Sequence, residues 1–350
     1  MADLIRIDGS YGEGGGQILR TALALSAITG RPLELFDIRK GRTTPGLGNQ
    51  HLASVRALAQ IAQAQVEGDR LGSDRLRLTP TTVRTGTFSC DVAEERGSAG
   101  SVTLVLQACL PPLCLAPNPS QLVLRGGTHV PWSPPVHYVQ AVLLPMLEPL
   151  GIRASLELVR AGWYPAGGGE IRVTMQPASR LISQTWNSRG TLRHITGWSI
   201  VSNLPNDVAQ RQQRAVCDAL RAQHLDAVIE CVALPSPGTG TCVVLVAEFE
   251  STRAGFAALG KPGKPAEQVG REAARALLEF LNTDAALEEH LADQVAIFLA
   301  LAQGPSAFTT AKITRHLLTN LWTIQQCLPV QVTIEGEEGK PGGVAIQPMA

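Results

Sequence analysis

The sequence predicts an α/β protein: one large domain of three repeated strand-and-helix units, residues 1–184 and 281–350, with a small α/β domain, 185–280, inserted into it. Three observations carry that prediction. Strand, glycine-loop and helix patterns recur along the chain, and Tyr11-x-x-Gly14-Gly15-Gly16-Gln17-Ile18 is echoed by Tyr164-x-x-Gly167-Gly168-Gly169-Glu170-Ile171. Between about 185 and 280 the glycine-rich loops vanish, and the repeat texture resumes afterwards. Apolar residues are 44% of the 350 and charged ones 17%, which excludes disorder and allows a sizeable core.

Taken in order, Leu4–Ile7 reads as a short strand and GSYGEGGGQ (9–17) as the loop after it. Over 17–30, Ile18, Leu19, Ala22, Leu23 and Leu25 form an apolar stripe at helical spacing. Gly30 supplies the stop, and Arg20 is expected opposite the stripe. LELFDI (33–38) is the next strand; the basic loop RKGRTTPGLGN (39–49) then leads into a helix that aligns Leu52, Val55, Leu58, Ala59 and Ala62. SVTLVLQACLPPLCLA (101–116) and HLADQVAIFLALAQ (290–303) are apolar segments, each carrying a glutamine where a helix needs none. In the insert, a charged amphipathic helix near 206–223 precedes two strand-like runs, 225–234 and 241–249, which flank PSPGTG as a hairpin-like turn. Near the end, FTTAKITR leads through His316 into LLTNLWTIQQCL, a helix with Thr319 as its expected N-cap.

Composition narrows the function. Thirty basic and thirty acidic residues give no net charge, which excludes a generically basic nucleic-acid coat. A polyanionic partner must be caught by a local cluster. Fifteen aromatic residues argue against a broad stacking platform for single strands. Seven cysteines include no C-x-x-C pair, and Cys109 and Cys114 read as buried thiols, so neither a disulfide framework nor a structural zinc is expected. No basic-then-apolar leader opens the chain and no apolar run reaches about 18 residues, so the expectation is a cytoplasmic protein with no membrane partner.

Four places could hold chemistry. Between strand and helix, GEGGGQ (12–17) offers backbone N–H groups and a helix N-terminus to phosphate; it is neither a P-loop nor a G-x-G-x-x-G fingerprint, and a tight turn explains it equally. Glu13 in that turn would repel phosphate unless a hard cation such as Mg²⁺ lay between. Arg39, Lys40 and Arg42, with Gln50 and His51 behind them, could grip phosphate oxygens, although a solvated loop explains three charges as well. His290, Asp293 and Gln294 fall on one helical face, as a capped surface helix would also place them. His316 stands at a strand-to-helix junction, where the helix's positive end is expected to keep its ring neutral and nucleophilic. A hydrogen-bonded loop histidine is the plainer reading of it. His129, His137, His194 and His224 have no comparable setting.

Together the segments IDGSYGEGGGQILRTALALS, IRKGRTTPGLGNQHL, GSAGSVTLVLQACLP, GWYPAGGGEI, LADQ and HLLTN resemble, in order, the RNA 3′-terminal phosphate cyclase family. The resemblance covers nearly the whole chain and is weakest in 185–280. It implies three repeated α/β units, as in the enolpyruvyl transferases, plus a small inserted domain. The implied reaction turns an RNA 3′-phosphate into a 2′,3′-cyclic phosphate through histidine–AMP and RNA–pp–A intermediates, with ATP becoming AMP and pyrophosphate. His316 matches the adenylylated histidine; Gln107, His290, Leu291, Ala292, Asp293 and Gln294 match ATP-binding positions, and Pro131 matches a proline that packs on adenine. Glu13 matches the carboxylate for Mg²⁺ or Mn²⁺, and Arg20, Arg39, Arg42, Gln50 and His51 match positions around the nucleotide and RNA phosphates. His290 stands where bacterial relatives have a tyrosine, with Asp293 expected to favour its proton, and His129 replaces the Asp or Asn that often follows GGT. A non-catalytic cyclase-like RNA-binding protein of ribosome assembly is the alternative; such relatives lack the nucleophilic histidine. Enolpyruvyl transfer on a similar fold is a third reading, and it predicts no covalent nucleotide.

Overall fold

Ile5 and Ile7 are buried while Arg6 between them is exposed, an alternation that makes Ile5–Asp8 a strand, β1. It belongs to a computed structural model that describes residues 3–92 and 99–349. Gly97 and Ser98 of the GSAGS segment lie outside the described residues. Asp8 Oδ1 accepts from the N–H and hydroxyl of Ser10 at 2.8 and 2.7 Å, which turns the chain out of β1 into the glycine loop. Helix α1 (Gly16–Thr29) follows and stops at Gly30, whose φ of 68° is the left-handed cap expected of it. Every residue from Ile18 to Ala27 is buried, Arg20 included. The one-sided stripe expected here is therefore too narrow, because α2 (Asn49–Ile61), α3 (Val102–Cys114) and α9 (Arg315–Cys327) all pack on α1.

Strands β1, β2 (Leu33–Phe36), β3 (Gln65–Glu67) and β4 (Leu76–Thr79) form a sheet in the order β1-β2-β4-β3. β1 and β2 are parallel, joined by α1, and the rest of the sheet is antiparallel. The scheme repeats with β5 (Thr87–Asp91), β6 (Ser120–Gly126), β7 (Arg153–Arg160) and β8 (Gly169–Gln176) in the order β5-β6-β8-β7. Here α3 joins the parallel pair, and α4 (Val136–Tyr138), a π-turn and α5 (Leu144–Leu147) lead to β7. β9 (Thr185–Trp186) opens a third copy, but the chain first builds β10 (Leu192–Ser202), α6 (Asn206–Arg221), β11 (Val228–Ala233), β12 (Gly240–Phe249), β13 (Arg253–Leu259) and α7 (Ala266–Leu281). It then returns through α8 (Glu289–Ala300) to β14 (Ser306–Thr310), α9, β15 (Val330–Glu335) and β16 (Gly342–Pro348). The third sheet runs β9-β14-β16-β15, again one parallel pair followed by antiparallel neighbours.

The sheet of β10–β13 has the order β11-β10-β12-β13. The two runs around PSPGTG are therefore not a hairpin: β10 lies between β11, its parallel partner, and β12. The turn is a crossover instead, held where Asn203 Nδ2 donates to the carbonyls of Ser236 and Gly238 at 3.0 and 2.9 Å. Along β12, Val243, Leu245 and Ala247 face a cluster with α6 and α7, while Cys242, Val244 and Val246 join the large core. Burial on both faces explains the unbroken apolar run at 241–249.

The echo of the glycine loop folds differently. Gly167-Gly168-Gly169 precedes a strand, β8, because Ile171, Val173 and Met175 are buried in alternation with Arg172 and Thr174. Gly162 is needed there for close approach, since a Cβ on it would lie 2.2 Å from the Gly126 carbonyl oxygen. All seven cysteines are free, and burial pushes the Cys114 thiol up to about 12, where it is inert. No helix among the described residues is long and apolar enough to cross a membrane.

Candidate active site

Helix α9 is capped by Thr314, whose hydroxyl accepts from the N–H of Leu317 at 3.0 Å. The expected cap, Thr319, lies inside the helix and donates to the carbonyl of Arg315 at 2.7 Å. His316 is thus in the first turn, with Nδ1 3.1 Å from Oδ2 of Asp293 on α8. The Asp293 carboxylate raises the pKa of His316 above its ordinary value, against burial and the charge of Arg20. The direction is opposite to the one expected from the helix end alone. A carboxylate in hydrogen-bond contact outweighs the partial charge of a helix terminus. Asp293 also does not serve His290, which is exposed and lies only 3.8 Å from Glu289.

The glycine loop docks on the same helix. The N–H of Glu13 donates to the Thr319 hydroxyl at 3.0 Å, and Tyr11 stacks on Trp322 with centroids 3.8 Å apart. Gly12 has φ 59°, and a Cβ there would fall 2.3 Å from Thr319 Oγ1, so glycine is required. Glu13 Oε1 pairs with Arg42 Nη2 at 2.5 Å, joining the glycine loop to the basic loop. Arg39 donates to the Gly46 carbonyl at 2.8 Å, and Lys40 pairs with Asp37 at 3.1 Å. His51 caps α2 from within: its Nδ1 accepts from the N–H of Gly48 at 2.9 Å. Burial, then the charges of Arg39 and Arg20, push its pKa down to about 3, so it is neutral and its Nε2 carries the proton under Gly16. Gln50 Oε1 accepts from the N–H of Ser101 at 2.8 Å, fixing the start of α3.

Beside His316, a narrow cleft opens between α1, α3, α8 and α9, lined by Gln17, Arg20, Gln107, Asp293, Gln294 and Asn320 among others. Arg20 Nε, Asp293 Oδ1 and Gln294 Oε1 are buried there without a hydrogen-bond partner. Each such orphan costs about 1–3 kcal/mol, and three converging on one cleft point to a polar ligand that completes them. Burial lowers the Arg20 pKa to about 10, with Asp293 and Glu13 opposing, so the guanidinium stays charged. Leu291 and Ala292 pack their side chains into the core, while Pro131 and His290 are exposed.

Sequence reasoning missed Asn320 and Thr21. Asn320 Nδ2 donates to the Asp293 carbonyl at 3.0 Å and its Oδ1 accepts from Thr21 at 2.7 Å, so one amide ties α9, α8 and α1 together. The available signal was spacing: Asn320 is one helical turn beyond His316. Among the described residues no three His, Cys, Asp or Glu side chains cluster to hold a metal. Mg²⁺ often needs only one or two carboxylates plus substrate phosphates, and Glu13 suits that mode.

A family model described as RNA 3′-terminal phosphate cyclase matches residues 11–334, from the glycine loop into β15. The chain belongs to the RNA 3′-terminal phosphate cyclase family. The RNA 3′-terminal phosphate cyclase of Gloeothece citriformis is 44% identical over 346 residues, covering 97% of this chain and 99% of its own. That of Methylococcus capsulatus is 45% identical over 347 residues, covering 98% and 96%. That of Pyrobaculum neutrophilum is 46% identical over 333 residues, covering 95% of each. Membership in the cyclase family carries its enzymatic activity on RNA ends, and the non-catalytic alternative is not favoured.

Proposed function

We propose that this cyclase works through His316, which takes AMP from ATP and passes it to the RNA 3′-phosphate. One observation carries the reading: Asp293 holds Nδ1, so Nε2 is the nitrogen left for attack, beside a cleft with unpaired polar atoms. A phosphate monoester dianion has no leaving group and must first be activated. The Nε2 lone pair attacks the α-phosphorus, the bond from that phosphorus to the bridging oxygen breaks, and pyrophosphate leaves. Asp293 stabilises the positive charge that the ring acquires as the N–P bond forms. An oxygen of the RNA 3′-phosphate then displaces histidine from the AMP phosphorus, giving the RNA–pp–A anhydride. Finally the 2′-oxygen attacks the 3′-phosphorus, its proton passes to solvent or a base, and AMP departs. Because that step is intramolecular, proximity can supply about 7–11 kcal/mol.

Arg20, Gln107 and Gln294, which line the cleft, would hydrogen-bond the nucleotide, and Arg42 would reach phosphate once its pairing with Glu13 opens. Glu13 would share a divalent cation, Mg²⁺ or Mn²⁺, with the nucleotide phosphates, and that ion would offset their charge. Residues 185–280 are read as a domain inserted into the large one; their place between β9 and α8 and the separate cluster under α6 and α7 support this. Incubation with ATP labelled at the α-phosphate tests the chemistry. The expected label is covalent, acid-labile and alkali-stable, and absent in His316→Ala. Alkali-labile label, or label on the alanine variant, would refute the assignment.

A further inference from the structure

Trp132 is 98% exposed and sits in the left-handed region with φ 64°. Both features are unfavourable: a bulky side chain at positive φ is an outlier, and an exposed indole forgoes the burial that makes tryptophan valuable. Nothing in the fold accounts for either.

The loop that carries it is nevertheless firmly held. Pro131, Pro134 and Pro135 restrict its backbone, and Ser133 donates to the Val130 carbonyl at 3.0 Å. Just after Trp132, the Pro134 carbonyl accepts from Thr103, in the first turn of α3, at 2.8 Å. Four residues beyond Pro134, Tyr138 donates to Glu288, the residue that caps α8. The loop therefore bridges the N-termini of the two helices that carry Gln107 and Asp293 into the cleft. Trp132 is thus an exposed aromatic face on a restrained loop, and it does not itself line the cleft.

We propose that Trp132 is the stacking platform for the base of the RNA 3′-terminal nucleotide, positioning its phosphate toward His316. An indole accepts any base, because every base has a π-face. This suits a protein with no net charge, which must hold RNA by a local grip rather than along a tract. The RNA base is preferred to the adenine of ATP because the unpaired Arg20, Asp293 and Gln294 atoms lie at the cleft, whose lining does not include Trp132. The inference rests on the reading of His316 and its cleft as the active centre.

The test uses the intact protein and two RNA 3′-phosphate ends, one ordinary and one lacking only its terminal base. Trp132→Ala should weaken affinity and raise KM for the ordinary end by roughly 5- to 150-fold, the range of one base–aromatic stack. Trp132→Phe should restore most of that loss, and the abasic end should not distinguish the alanine variant from wild type. Equal losses on both ends, or none on either, would overturn the proposal. So would a defect confined to ATP-only adenylylation, which would assign the indole to adenine. RNA affinity is read without turnover, so covalent label persisting in His316→Ala would sink the active-centre reading separately.

Discussion

Asp293 sets the charge of His316, and the sign of that effect can be tested. Nucleophilic attack needs the neutral ring, whose pKa is raised by the carboxylate. ATP-only adenylylation should therefore rise with pH through an inflection above 6.5, the ordinary histidine value. Asp293→Asn should move that inflection down and slow the step by about 10²- to 10⁴-fold, since the ring loses its orienting partner. An unmoved inflection would show that Asp293 does not govern the ring. The same pair acts on stability in the opposite pH direction. A raised folded pKa contributes stability that is complete below the unfolded value and lost as pH rises through the folded one. His316 was singled out by its place at a helix start and by the resemblance of HLLTN, not by either residue spacing or composition. Its partner was not legible, because Asp293 lies on another helix and local spacing tied it to His290 instead.

At the scale of elements, α9 and the glycine loop form one unit through Thr319 and the Tyr11–Trp322 stack. Thr319→Val keeps the shape but removes the acceptor for the Glu13 N–H. It should cost about 1 kcal/mol of stability and raise KM for ATP, measured by denaturant titration and by adenylylation kinetics. Gly12→Ala should cost more, about 1–3 kcal/mol, because it adds strain at φ 59° and sets a methyl against the Thr319 hydroxyl. If Gly12→Ala were neutral in both assays, the loop would not be seated on α9 as described. The glycine words at 12–17 and 164–169 look alike, yet one opens a helix and the other a strand. The difference lies downstream, in the 3.6-residue spacing after Gln17 against strict alternation after Glu170.

For the whole molecule, the buried histidines set acid sensitivity. His129 Nε2 and His137 Nδ1 share a hydrogen bond of 2.9 Å, with Thr128 on the far side of His129 at 2.8 Å and Trp163 stacked on its ring. His137 also packs on Trp198 of β10, so the pair joins the second sheet to the fourth. Burial holds both pKa values down, that of His137 to about 4, as it holds that of His51 at about 3. Between pH 6.5 and those values the unfolded chain binds protons that the folded one refuses, so stability must fall as pH falls through this window. Against these three groups His316 and the buried carboxyl of Glu288, whose pKa values are raised, pull the other way. The denaturant midpoint should be lower at pH 5 than at pH 7.5, and His137→Gln should narrow the gap. Equal midpoints in the wild-type protein would mean that these rings are protonated in the fold. Composition showed seven histidines but could not show that two of them touch.

By itself the sequence determined the α/β class, the recurrence of strand-and-helix units and the positions of α1, α2, α6 and α8. These follow from residue spacing along one segment, where hydrophobic period and turn chemistry act within a few residues. Tertiary structure alone decided the order of the strands, the partner of His316, the burial of Arg20 and the isolation of Trp132. Each depends on which elements pack together. Strand order reflects which edges meet, so PSPGTG could pass for a hairpin until β10 was seen between the two runs. Charge at His316 reflects a carboxylate 23 positions away in the chain and 3.1 Å away in space. Exposure of Trp132 is the converse case: nothing local in a proline-rich loop tells which side chain the packing will leave out.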